Sequence, residues 1–323
     1  MNRPLFESEN FMQSLMSCAG ESRALNETLA GTFKPADTFF LIESNLPDYG
    51  GWSSGIVKAA SRNGEFAPYL RHLSSAPRPK ILFIRRPHGD GKNFYIALTN
   101  QDEPMLYHAE LDDYADLLAL DIASLRDDGA PRINGRAMNE IDELFTVCTN
   151  GRHDPCCAAH GAPVYQELAG QAGPERVWQT THIGGHRMAA TLIAFPQGVV
   201  YGHVDPRDVE SLLMNHRAGY LLTHKYRGRG CYAGHALVEA AHLAAGAAEA
   251  VIRERTRKYG LQDLRLLAVE DLGGGRKRVS FSDGNGGICS ATVGTRMSAP
   301  RLTSCGDEPK PMPQHEVSIL AAT

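Results

Sequence analysis

A strand–helix–strand–strand–strand–helix order, readable twice along one chain, predicts an α/β protein. It would be two thioredoxin-like units in tandem, with a small C-terminal β-hairpin extension. Three observations carry this expectation. Short runs rich in β-branched and aromatic residues, bounded by Gly, Pro and Asn, mark strands. Stretches with apolar residues at helical spacing fall between them at matching places in both halves. Beyond about residue 260 the helical spacing stops, and a Gly/Asn turn between apolar runs leads to a Pro-rich end. The two halves share this order but no convincing repeat of letters.

Taken in order, "TFFLIE" (Thr38–Glu43) is a buried strand, and "LPDYGGWSSG" turns towards a helix around Ile56–Ala60. "KILFIRR" (Lys80–Arg86), "NFYIALT" (Asn93–Thr99) and "MLYHAEL" (Met105–Leu111) give three more strands. "DYADLLALDIASL" (Asp113–Leu125) has helical spacing, and "DDGAPRINGR" (Asp127–Arg136) is a turn-rich break at which the first unit ends. The second unit begins with strand "ELFTVC" (Glu143–Cys148), then a helix from about Pro155 to Ala169 that Gly161 and Pro163 should disturb, then strand "ERVWQTT" (Glu175–Thr181). "AATLIAF" and "GVVYGHV" meet at Pro196-Gln197-Gly198 as a hairpin. In "DPRDVESLLMNH", Asp205 caps a helix that starts on Pro206. An alanine-rich helix spans about Ala236 to Lys258, and its stripe over Leu237–Ile252 reads as core packing. "RLLAVEDL" and the hairpin "RKRVSFSDGNGGICSATV" follow. The expected domains are 1–137, 138–260 and 261–323.

Composition narrows the function classes. The chain of 323 residues is 42% hydrophobic and 22% charged, with a formal charge of −4. No apolar run approaches the roughly 18 residues of a membrane span. The charge gives no reason to expect nucleic acid or a membrane as partner. The opening "MNRPLFESENFMQ" lacks a secretory apolar region. Seven unevenly spaced cysteines suit metal or redox chemistry in a reducing cytoplasm better than a disulfide framework.

The chemistry concentrates in "CTNGRHDPCCAAHG", where Cys148 ends a strand and Cys157 opens the following helix. A helix N-terminus favours thiolate, the metal-binding form. His182 and His186 bracket "IGG" just after the next strand, and Gly184 and Gly185 make that segment a loop with a close backbone approach. Loops at matching strand ends would converge into a Cys₂His₂ set. A zinc finger would space its cysteines by about two to four residues, and a catalytic zinc helix would show H-E-x-x-H; neither fits. Two thiolates on one iron and two imidazoles on the other, as in Rieske ligation of a [2Fe–2S] cluster, fit better.

"CTNGRHDPCCAAHGAPVYQEL", "VWQTTHIGGHRMAATLIAFPQGVVYG" and "YRGRGCYAGHALVEAA" resemble the sucrase/ferredoxin-like family, whose cluster-binding unit is a thioredoxin-like [2Fe–2S] ferredoxin. The N-terminal "CAGESRALNETLAGTFKPADTFFLIESNLPDYGGW" and the C-terminal "TSCGDEPKP" also look like its bacterial members. The resemblance implies that 138–260 is the ferredoxin domain and that 1–137 lacks cluster ligands. It implies Cys148, Cys157, His182 and His186 as ligands of one cluster. The family's cysteine spacing selects Cys157 over its neighbour Cys156, which is the alternative ligand or a structural or redox-sensitive thiol beside the cluster. The implied function is electron transfer, single electrons passing to or from a reductase or an acceptor protein. No paired carboxylates support sucrose hydrolysis.

Two rival functions share these residues. A thiol-dependent oxidoreductase would use Cys156 or Cys157 as nucleophile with His182 as base, and a zinc-stabilised binding module would hold zinc on the same set. Elsewhere, Arg227 and Arg229 in "YRGRG" read as a docking point for an anion or an acidic partner. Cys289 and Cys305 on the tail read as free thiols that could meet, Cys18 as remote from any strand end, and Trp52 and Trp178 as core aromatics.

Overall fold

A computed structural model describes residues 17–44, 66–87, 91–100, 102–126, 129–232, 235–257 and 259–320. The expected helix around Ile56–Ala60 and Trp52 lie outside these residues. The first unit comprises α1 (Cys18–Ala24), β1 (Thr38–Glu43), α2 (Ala67–Leu73), β2 (Pro79–Arg85), β3 (Asn93–Leu98) and β4 (Met105–Glu110). A small hairpin of β5 (Arg132–Ile133) and β6 (Arg136–Ala137) turns at Asn134-Gly135, and β7 (Asn139–Glu140) follows. The second unit comprises β8 (Leu144–Cys148), α3 (Pro155–Ala172), β9 (Val177–Thr180), β10 (Leu192–Phe195), β11 (Val199–Tyr201), α4 (Val209–Arg217), β12 (Tyr226–Arg229) and α5 (Glu239–Thr256).

In both units the first two strands are parallel and the third runs antiparallel to the first, so the spatial orders β2-β1-β3-β4 and β9-β8-β10-β11 are the same. This is the tandem thioredoxin-like arrangement that the pattern predicts. The units meet edge to edge, β2 pairing antiparallel with β9 through Ile84–Thr180 and Arg85–Gln179. One ten-stranded sheet results, with no free edge between the halves.

Alternation along each strand divides the apolar side chains between the two faces of the sheet. On β1, Phe40 and Ile42 pack with α2 residues, whereas Phe39 and Leu41 pack with Leu144, Cys148, Cys157, Trp178 and Phe195. Trp178 is fully buried, as expected. Cys148 therefore ends its strand inside the central core. α3 runs unbroken through Gly161 and Pro163. Gly161 is a packing requirement, because a Cβ there would overlap the Cys148 carbonyl oxygen, so its absence lets α3 lie against the end of β8.

The expected helix over Asp113–Leu125 is instead two short 3₁₀ turns, Tyr114–Ala119 and Ala123–Arg126. Asp113 and Asp116 form a capping box on the first turn, and Asp121 Oδ1 accepts from the Ala123 and Ser124 amides to open the second. Leu120 between them is extended. Local acid caps thus split one apolar stripe into two turns.

The C-terminal extension is larger than one hairpin. β13 (Arg265–Gly273), β14 (Arg276–Ser282), β15 (Ile288–Met297) and β16 (Pro313–Ile319) form a four-stranded antiparallel sheet in sequence order. The alanine stripe of α5 packs against it, Ala244, Ala245, Ala248 and Ile252 meeting Leu266, Val279, Phe281 and Val293. Gly246 faces Gly31 and Gly228 of the main body, where a Cβ would just reach van der Waals contact. Between α5 and β12 of the ten-stranded sheet lies a buried ionic knot. Glu249 accepts from the Tyr226 hydroxyl at 2.6 Å and the Tyr232 hydroxyl at 2.9 Å, and pairs with Arg229 at 2.7 Å and Arg253 at 2.8 Å.

Two outcomes follow from this packing. Burial opposes ionisation of Glu249, yet Arg229 and Arg253 outweigh it and hold its carboxyl at about 2, below the ordinary 4.5. Its contribution to stability is therefore complete above pH 4.5 and lost as pH falls through that window. Glu249→Gln leaves two buried guanidinium groups short of a counter-charge and should cost about 3–5 kcal/mol; urea denaturation at neutral pH measures it, and an unchanged midpoint would contradict the knot's importance. Gly161→Ala should cost about 1–3 kcal/mol through overpacking of α3 on β8, read the same way.

Candidate metal centre

β8 and β9 are parallel and in register, Cys148 opposite Thr180, so the loops leaving both strands emerge at the same end of the sheet. From β8 the chain turns through Asn150–His153 into α3. Asp154 is the N-cap, its Oδ1 accepting from the Cys156 amide at 2.9 Å, with Pro155 in the first helical turn. Cys156 and Cys157 follow in that turn. From β9 the chain passes Thr181 into His182–His186, where Gly184 (φ 117) and Gly185 (φ 73) take backbone conformations that other residues rarely adopt.

Arg227 fixes that loop from beneath. Its guanidinium donates to the Gly184 carbonyl at 2.8 Å, to Thr32 Oγ1 at 3.0 Å and to the Thr32 carbonyl at 3.1 Å. A Cβ on Gly185 would overlap it. Arg227 is 2% exposed, and burial lowers its pKa to about 10. Arg229 pairs with Glu249. The expected docking point for an anion or acidic partner is corrected on this evidence: both guanidinium groups are turned inward onto this chain's own oxygens.

Two loops therefore bring four of the expected residues to one place. Ligand atoms of Cys148, Cys157 and His182 lie within 4.8 Å of one another, as do ring nitrogens of His153, His182 and His186. His182 Nδ1 is 3.8 Å from Cys157 Sγ. The His182 and His186 ring centroids are 5.1 Å apart, and His153 stacks on His182 at 3.7 Å. The thiols are each 2% exposed, whereas the three imidazoles are half-buried. The arrangement has a sulfur end in the core and an imidazole end near the surface.

Protonation follows from burial and neighbours. The hydrogen bond from Cys157 draws the Cys148 thiol well below its usual value against the penalty of burial, while the same contact pushes Cys157 up. Burial, then His182 and His186, lower His153 to about 4, so it stacks as a neutral ring. His186 Nε2 lies 2.6 Å from the Thr303 carbonyl oxygen, which only an N–H can satisfy; its buried Nδ1 has no hydrogen-bond partner. That leaves a lone pair on Nδ1 with no other use, a fit to metal ligation.

Cys156 turns away from this set. Its sulfur lies 3.7 Å from Cys18 Sγ and 3.4 Å from Cys305 Sγ. Cys289 instead meets the Tyr259 hydroxyl at 3.3 Å, so the two tail cysteines do not meet. His153, Asp154 and the tail loop were not foreseen. Two of them stand inside the quoted cysteine segment, where the spacing between Cys148 and Cys157 could have pointed to them; the loop lies in the quoted "TSCGDEPKP", whose resemblance to the family was its one signal.

A family model described as sucrase/ferredoxin-like matches residues 29–228. The protein "Altered inheritance of mitochondria protein 32" of Meyerozyma guilliermondii is 31% identical over 97 residues, which are 27% of this chain and 34% of that protein. The chain thus spans about a third of that relative's length. The thioredoxin-like [2Fe-2S] ferredoxin from Aquifex aeolicus is similar at 20% identity and a TM-score of 0.24, covering 29% of this chain and 96% of that one. A second structure of it, the wild type, gives 21% identity, the same TM-score, and 27% and 97% coverage. The matched segment takes in most of both units and all four expected ligands, and the chain belongs to the sucrase/ferredoxin-like family.

Proposed function

We propose that this protein is a one-electron carrier that holds one [2Fe–2S] cluster on Cys148, Cys157, His182 and His186. The observation that carries the reading is the separation of donor types around His182: two buried sulfurs on one side, a second imidazole with a free Nδ1 on the other. A single tetrahedral ion would need all four donor atoms close together. Here His182 belongs to both the sulfur set and the imidazole set, and the four residues do not close into one set, which favours a two-metal centre. Bound there, such a cluster supplies a reversible one-electron couple whose potential imidazole ligation raises.

The chain's own residues divide the remaining work. Cys148 and Cys157 supply the sulfurs from the buried core. Thr303 holds a proton on His186 Nε2 and so keeps Nδ1 available. Arg227 keeps Gly184 in place, and with it the spacing of the two histidines. The imidazole end carries the exposed area, so a reductase or acceptor protein would approach there. Ligand thiols must stay reduced, which suits the cytoplasm. No described helix is long and apolar enough to cross a membrane.

Anaerobic purification should give a coloured protein with two irons per chain; a colourless, iron-free protein sinks the proposal. His182→Cys or His186→Cys should each keep the colour and lower the midpoint potential. Loss of colour from both would give these positions a structural role. The potential should fall as pH rises through imidazole deprotonation, because ring nitrogens not used as donors release protons more readily in the oxidised form. A potential independent of pH would count against histidine ligation.

A further inference from the structure

The first turn of α3 faces two ways, and its second face carries a group that the proposed electron carrier does not use. We propose that Cys18, Cys156 and Cys305, closed by the carboxylate of Asp154, form a second metal site that takes one thiophilic divalent cation, zinc first. The three sulfurs stand 3.7 Å (Cys18–Cys156), 3.4 Å (Cys156–Cys305) and 3.6 Å (Cys305–Cys18) apart. Zn–S bonds of about 2.3 Å in a tetrahedron give sulfur–sulfur edges of about 3.8 Å. Both Asp154 oxygens lie 3.8 Å from Cys18 Sγ, and donor atoms of all four residues lie within 4.8 Å of one another.

Competing explanations fit less well. A disulfide joins two sulfurs at about 2.0 Å and leaves the third unused, whereas these three form a nearly regular triangle. Simple packing does not account for Asp154. Its carboxylate is 1% exposed beside three thiols and the apolar side chains of Ala19, Ala189 and Leu302. Amides of Cys156 and Cys305 and the Ser304 hydroxyl hold it, leaving a lone pair of roughly four towards the sulfurs. Soft thiolates with one hard oxygen suit zinc better than calcium or magnesium. Four protein donors make a closed, structural site. On loading, three S–H protons leave to solvent as the cation meets three thiolates; no oxidant takes part.

The site would staple three distant segments: the start of α1, the start of α3 and the tail loop, separated by 138, 149 and 287 residues. It also explains the adjacent cysteines. Successive residues in the first helical turn point in different directions, so Cys157 serves one centre and Cys156 the other.

The test uses the full chain, produced with zinc supplied and purified anaerobically. Elemental analysis and native mass spectrometry should find one zinc per chain, retained through gel filtration. X-ray absorption at the zinc edge of the wild type should report three sulfurs at about 2.3 Å and one lighter atom. Cys18→Ser should weaken zinc binding at least about ten-fold and leave iron and colour unchanged. Cys148→Ser should remove iron and colour and leave zinc, so this inference and the electron-carrier proposal fail separately. Wild type that takes up no added zinc, a disulfide between any two of the three cysteines, a zinc edge without sulfur, or Cys18→Ser with full zinc binding would each overturn the site.

Discussion

The carboxylate of Asp154 is the constraint on which the arrangement of both proposed centres depends. As N-cap it starts α3 at the residue that puts Cys157 beneath Cys148. Burial opposes its charge, but the Cys305 and Cys156 amides, His186 and the Ser304 hydroxyl hold its carboxyl at about 2, so it is ionised at any ordinary pH. The same oxygens tie down the tail loop, through the Ser304 hydroxyl at 3.0 Å and the Cys305 amide at 2.9 Å. That loop in turn presents the Thr303 carbonyl to His186. One anion therefore sets the helix start, the loop from the far end of the chain, and through that loop the tautomer of a proposed ligand.

The rest of the fold keeps these pieces from drifting. Arg23 donates to the Ala189 carbonyl at 2.9 Å and pairs with Asp205, fixing α1 to the segment after the second histidine. Arg187 and Arg301 both reach Glu27, and the Leu302 carbonyl accepts from Arg187, so the tail loop is anchored just ahead of Thr303 and Cys305. The Glu27 contacts are buried and charge-assisted, stronger than neutral hydrogen bonds and costly to break singly. The edge-to-edge sheet adds rigidity, since β9, which delivers His182, lies between β8 and β2 rather than at a free edge.

The proposed cluster ligands were legible in the sequence because their placement is local. A strand end, a capped helix start and a glycine loop after the next strand fix where Cys148, Cys157, His182 and His186 emerge, and parallel pairing of β8 and β9 brings them to one end. Cys18 and Cys305 could not be placed this way. Nothing near either residue says that α1 and a loop beyond residue 300 fold onto α3; that contact is made by side chains such as Glu21, Glu27 and Asp154 far along the chain. Arg227 and Arg229 misled for a related reason. An arginine between glycines looks exposed when no partner is adjacent, yet their acceptors lie 195 and 20 residues away. The stripe at 113–125 failed on local chemistry instead, since periodicity counts apolar residues and overlooks the aspartates that stop a helix.

The vicinal cysteines show how the two proposed centres would coexist without exchanging ligands. A thiolate that could swing between them would let one metal displace the other. Cys156 and Cys157 cannot swing, because both sit in the first turn of a helix whose cap and whose contact at Gly161 are fixed, and their directions differ by a helical step of about 100°. Each sulfur is then committed by backbone geometry, before any metal arrives, to a different set of neighbours: Cys157 to Cys148 and His182, Cys156 to Cys18 and Cys305. Selectivity between the sets rests on their remaining donors. Imidazoles at the half-exposed end would suit the proposed electron-exchanging centre, while a third thiol and a buried carboxylate would enclose the proposed ion that only has to hold three segments together.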